Sequence, residues 1–119
     1  MTNISEISVQ APNPVINERS SFFAPIYFRY EGSAIGGDAF GYYIRIDCLT
    51  TGTTILDWDG PYTPAATDVT YPIASEYNRI IDRSNNEEKK QITVAMAKDT
   101  SLEVRDNIQY IVNNRGWSD

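Results

Sequence analysis

The sequence predicts an all-β fold, a seven-stranded antiparallel β-sandwich, and three observations lead to it. Four stretches place apolar side chains at every second position: Phe22, Ala24, Ile26, Phe28 and Tyr30; Tyr42, Ile44, Ile46 and Cys48; Ile92, Val94 and Met96; Ile108, Tyr110 and Val112. A strand sends successive side chains to opposite faces, so each run describes one dry face and one wetter face. Turn-forming residues separate the runs, and the helix that a parallel sheet needs after each strand is missing from the pattern, which points to two antiparallel sheets packed face to face.

The first strand is residues 4–9, short and edge-like, with Ile7 and Val9 inward and Ser8 and Gln10 outward; Pro12 and Pro14 stop it, because proline lacks the amide proton a ladder needs. Residues 20–30 form a longer second strand that contains Pro25. Pro25 belongs to the odd, outward set, so it requires a local edge or a bulge. Gly32, Gly36, Gly37 and Gly41 mark residues 31–41 as a loop. A third strand, 42–49, turns through Thr50, Thr51, Gly52 and Thr53 into a fourth at 54–58, with Leu56 and Trp58 on one face and Ile55 and Asp57 on the other. Asp59, Gly60, Pro61 and Pro64 end this hairpin, and residues 68–73 supply a fifth strand with Val69, Tyr71 and Ile73 on one side.

Residues 75–90 are ambiguous. Tyr77, Ile80 and Ile81 have helical spacing, which favours a short helix near 76–83 across the end of the sandwich; residues 77–83 also read as a strand turning at Asn85 and Asn86. The sixth and seventh strands are 91–98 and 107–113, and the loop 99–106 between them holds Leu102 and Val104, which extend either strand. This order, a frayed first strand, a long second, a hairpin, a fifth strand, a crossing turn and a closing pair, resembles immunoglobulin-like or fibronectin-III-like sandwiches over nearly the whole chain. The paired cysteines and core tryptophan of antibody domains are absent, since Cys48 is alone and Trp58 lies on the fourth strand. A barrel or jelly roll is the structural alternative.

A chain of 119 residues reads as one domain, 1–119, able to bury roughly two-thirds of its unfolded surface without a metal or disulfide. Cys48, on an apolar strand face, reads as a small core hydrophobe. The start MTNISEISVQ has no signal-peptide pattern, and no apolar run approaches the roughly 20 residues that span a bilayer, so the expected site of folding is the cytosol and no membrane partner is expected. Sixteen acidic residues against ten basic ones give a net charge of -6, which repels phosphate backbones and argues against nucleic acid. Lys89 and Lys90 follow Glu87 and Glu88 and read as a solvated, self-compensating loop.

Chemistry is sparse. The chain has no histidine, which removes the commonest general base and the imidazole metal ligand, and no nucleophile turn or phosphate-cradling loop stands out. Asp57, Trp58, Asp59 and Gly60 invite a calcium reading, but the residues that follow offer few oxygen ligands, so a polar turn is the reading adopted. No cofactor, metal or catalytic residue is nominated. Among eight Tyr, four Phe and two Trp, Tyr27 and Tyr43 fall on outer faces, Tyr62 in a loop and Trp117 close to residue 119. Tyr43, Tyr62 and Trp117 are the candidate partner-binding residues, with a cap over the open end of the sandwich as the equal alternative for Trp117. The expected function is a non-enzymatic structural or interaction module. An acidic chain with polar loops rich in Thr, Asn and Gly is similar to the small immunoglobulin-like accessory proteins of tailed-phage virions, decoration or cement proteins on heads and auxiliary pieces of tails. That resemblance implies a protein partner in a capsid or tail lattice, a virion-surface location and a homo-oligomeric state. The alternative is a carbohydrate-binding module in which Tyr43, Trp58, Tyr62 or Trp117 stack on sugar beside Asp57 and Asp59.

Overall fold

A computed structural model describes residues 3–31, 41–63, 68–98 and 101–117. Alternation produces the sheets it predicts. Strands β1 (Asn3–Val9), β3 (Phe22–Glu31) and β6 (Asp68–Ile73) form a three-stranded sheet in the order β1-β3-β6. Strands β2 (Val15–Asn17), β4 (Tyr42–Cys48), β5 (Thr53–Tyr62), β7 (Glu87–Lys98) and β8 (Ser101–Asn113) form a five-stranded sheet in the order β2-β8-β7-β4-β5. The inner faces meet in one core, where Ala24, Ile26, Ile44, Ile46, Ile73, Ile92, Val94 and Val112 are completely buried. Each buried Ile or Val contributes about 1.5–3 kcal/mol relative to an exposed one. Cys48 is buried and free, as its parity requires.

Several boundaries differ from those the sequence suggests. The described residues hold eight strands rather than seven, and the pairing is not wholly antiparallel. The extra strand, β2, runs parallel to β8 with Val15 opposite Ile111 and Asn17 opposite Asn113. Three residues behind Pro14 are too few to display a period, so only their partner reveals them. β7 begins at Glu87 and β8 at Ser101, so Val104 belongs to β8. The helix expected near 76–83 is a single 3-10 turn at Ser75–Asn78, with extended backbone at Arg79 and a turn beyond it closed by the Asn85 N–H on the Asp82 carbonyl. The loop expected at 31–41 falls largely on residues 32–40, outside the described residues, as do Pro64, Asp99 and the side chains of Tyr30 and Leu102.

Pro25 illustrates how a local edge arises inside a central strand. β3 lies between β1 and β6, yet β1 ends at Val9, opposite Ile26. The Pro25 carbonyl accepts the Gln10 N–H at 2.9 Å, so the donorless nitrogen faces the same side, beyond the end of β1. On the other side Thr70 is in register with it.

β5 departs furthest from expectation. It continues through Asp59, Gly60 and Pro61 to Tyr62 rather than ending at Trp58, and Pro61 is tolerated because β5 is an edge. Opposite β4, Ile46 pairs with Leu56 and Ile44 with Asp59, so three steps on β5 match two on β4. This bulge, with Trp58 at φ 45°, breaks the alternation that would keep Leu56 and Trp58 on one face.

Candidate functional site

At one end of the sandwich, residues 75–86 and 114–117 are held by buried polar side chains. Glu88 and Lys90 occupy inward positions of β7 and are completely buried, which corrects the reading of a solvated loop. Lys90 Nζ donates to the Arg79 carbonyl at 2.8 Å and to Glu88 Oε1 at 3.2 Å. Glu88 also accepts the backbone N–H groups of Ile81 and Asp82 at 2.6 and 2.9 Å and the Asn85 amide at 3.1 Å. Burial opposes its charge, yet these donors together lower its pKa. Asn78, also buried, accepts from the Tyr110 hydroxyl at 2.6 Å and donates to the Ser20 carbonyl at 2.7 Å.

The second clasp is Glu18, whose carboxylate is fully buried. It accepts both guanidinium nitrogens of Arg83, and its Oε1 accepts the backbone N–H of Arg115 at 2.7 Å and of Trp117 at 3.2 Å. Arg83 is the largest cause of a pKa lowered to about 2, against the opposing effect of burial. Asn114 adds bonds to the Arg83 and Asn85 carbonyls at 3.2 and 2.9 Å. Residues 114–117 are thus fixed in backbone while Trp117 remains 49% exposed.

Tyr43 and Tyr62 lie at the other end. Tyr43 is in register with Ala95 on β7, eight residues from Glu87, which pairs with Asn113 just before Trp117. At ~3.4 Å per residue the two ends are about 27 Å apart along the strands, so the three nominated residues are not one site. Tyr43 is half-buried on the outer face. Tyr62 is in β5 rather than a loop, and its ring packs 5.6 Å from Tyr42 and 6.0 Å from Tyr71. The hydroxyls of Tyr62 and Tyr71 both donate to Asp59 Oδ2, the latter at 2.5 Å, joining the two sheets across their ends. The Asp59 hydrogen bond raises the Tyr62 pKa, and burial followed by the same carboxylate raises that of Tyr71, so both remain donors at neutral pH.

The bulge in β5 creates a feature with no counterpart in the sequence reading. Trp58 lies against two guanidinium groups, Arg45 at 5.7 Å and Arg105 at 5.3 Å from the ring centroid. Arg45 is neutralised by Asp47 at 3.1 Å and Asp57 at 3.2 Å and donates to Thr54 at 2.9 Å. Arg105, Ala95 and Tyr43 form one cross-strand row, and Ala95 is completely buried although its parity points it outward. The outer face of the three-stranded sheet carries Tyr27, expected to be exposed, and Phe23, 64% exposed and missed although it shares Tyr27's odd parity.

Asp57 and Asp59 are drawn to different partners, Arg45 and the two tyrosines. Among the described residues no three His, Cys, Asp or Glu side chains group as metal ligands, and no helix is long and apolar enough to cross a membrane. No family model matches the chain, and no curated protein matches it in sequence.

Proposed function

We propose that this chain is a non-enzymatic interaction module with an immunoglobulin-like or fibronectin-III-like fold that binds a protein partner, as accessory proteins do on the head or tail lattice of tailed phages. Sheets ordered β1-β3-β6 and β2-β8-β7-β4-β5 support the fold type, with the first strand divided between the two sheets. One observation carries the binding reading: the Trp117 backbone is bolted to a buried carboxylate while the residue is half exposed. An aromatic anchor on a fixed backbone loses little entropy when a partner covers it.

The sheet edges favour contact through side chains rather than strand addition. β1 carries a register shift between Ile4 and Glu6, and its Val9 N–H is capped by Asp106 Oδ2 at 3.0 Å. β2 is three residues long, β5 is bulged and holds Pro61, and β6 holds Pro72. Each is a known means of blunting an edge against further pairing. For the carbohydrate alternative, the nominated Trp58 ring is already flanked by two arginines, and Tyr62, although exposed, packs its ring against two tyrosines.

The test is to mix the purified protein with purified phage heads or tails and sediment them. Saturable co-sedimentation with one of them is expected. Protein that stays in the supernatant with every head and tail preparation refutes the virion setting, and quenching of tryptophan fluorescence by a glycan panel would favour the sugar reading instead.

A further inference from the structure

We propose that Arg105, held against the Trp58 ring, is a docking point for a carboxylate carried by an acidic segment of a protein partner, on a face separate from Trp117. The first support is conformational. The β5 bulge puts Trp58 at φ 45°, a backbone region that costs a non-glycine residue roughly 1 kcal/mol or more. The outcome is an indole removed from the face that Leu56 keeps and laid across the outer surface of the five-stranded sheet.

The second support is charge. Two guanidinium groups meet the ring, and they differ in their neutralisation. Arg45 has Asp47 and Asp57 as counter-ions. Arg105 is exposed, and none of the ion pairs formed among residues whose side chains are described, Arg29 with Glu6, Arg45 with Asp47 and Asp57, Arg83 with Glu18 and Lys90 with Glu88, involves it. Contact with the Trp58 ring, 5.3 Å from its centroid, holds the Arg105 guanidinium in place, and its fork of N–H donors suits an external acceptor of matching planar geometry. The third support is packing: Ala95, the cross-strand partner of Arg105, is completely buried although its parity points it outward, so this part of the outer face is covered by side chains.

The net charge of -6 selects among anions. It repels every polyanion, and an extended one such as nucleic acid most, while screening beyond a Debye length of about 8 Å at physiological salt leaves a short acidic protein segment at Arg105 the least opposed. Arginine and tryptophan are also the residue types that dominate protein interfaces.

The chain has two tryptophans, so Trp117→Phe leaves Trp58 as the sole indole reporter. In that background, Trp58 fluorescence is titrated with a blocked Asp-Glu-Asp tripeptide, its Asn-Gln-Asn analogue and a blocked phosphoserine peptide, at 0.15 M salt. A saturable change with the acidic peptide alone is expected, weakened about tenfold or more by Arg105→Gln, an exposed substitution whose folding is checked by its melting curve. Equal responses to the acidic and amide peptides, or an Arg105→Gln titration that overlays the parent, overturn the proposal. Tighter binding of phosphoserine overturns the carboxylate assignment in favour of phosphate. A flat titration beside intact co-sedimentation with heads or tails removes this docking point and leaves the interaction-module reading standing.

Discussion

Replacing Glu18 with Ala removes one carboxylate from four donors at once: two nitrogens of Arg83 and the backbone N–H groups of Arg115 and Trp117. Breaking a buried ion pair costs about 3–5 kcal/mol when the remaining charge stays dry. The Arg83 side chain is 34% exposed and recovers part of its hydration, so a loss near the low end, about 3 kcal/mol, is expected. Unfolding entropy of about 2.1 cal/mol/K per residue over a chain of 119 residues gives about 250 cal/mol/K, and the melting temperature should fall by about 12 °C. Glu18→Gln keeps an acceptor but loses the charge, and should fall by less. The Glu18 pKa is depressed in the folded state, so its stabilisation is complete above the unfolded value near 4.5 and is lost as pH falls through about 2. The gap between wild type and Glu18→Gln should therefore narrow below pH 4.5. Thermal melts followed by circular dichroism at pH 7, 4 and 3 test both statements. A Glu18→Ala melting point within about 2 °C of wild type, or a gap that stays constant on acidification, would refute the assignment of a buried, arginine-paired carboxylate.

Other substitutions probe the remaining structure. Glu88→Ala leaves the N–H groups of Ile81 and Asp82 without their acceptor, so hydrogen exchange at those two amides should accelerate more than at Ile44 or Ile92 in the core. Gly60→Ala would set a Cβ 2.6 Å from the Tyr42 carbonyl oxygen at φ 147°, and a loss of at least about 1–3 kcal/mol in denaturant melts is expected, with a neutral result refuting the close approach of β4 and β5. Ile46→Asp places a charge at a completely buried position between the sheets and should abolish cooperative melting.

Period two identified most strands because both sheets keep one dry face, and Ile44, Ile46, Ile92 and Val94 could not alternate otherwise. The exceptions have physical causes. β2 is defined by its pairing with β8, and three residues carry no pattern of their own. Glu88 and Lys90 read as a polar loop because a sequence shows charge but not the partner that neutralises it; once paired with each other and with the backbone of residues 79–82 they occupy core positions. Alternation places Trp58 on the face of Leu56, yet the bulge between Leu56 and Asp59 inverts parity there, and neither bulge nor positive φ leaves a mark when the residue is tryptophan rather than glycine. Trp117 was legible as a candidate from its residue type alone. The clasp that fixes it depends on Glu18, some hundred residues earlier in the chain, a contact no local pattern encodes.

Trp117→Ala is the most direct test of the claim that this residue is a partner anchor rather than a structural cap. Melting temperature and co-sedimentation with heads or tails are measured on the same samples. Binding weakened at least about tenfold, with a melting temperature within about 2 °C of wild type, is the expected pair of results. A variant that melts well below wild type and still binds as tightly would make Trp117 a lid on the sandwich and contradict its role as an anchor.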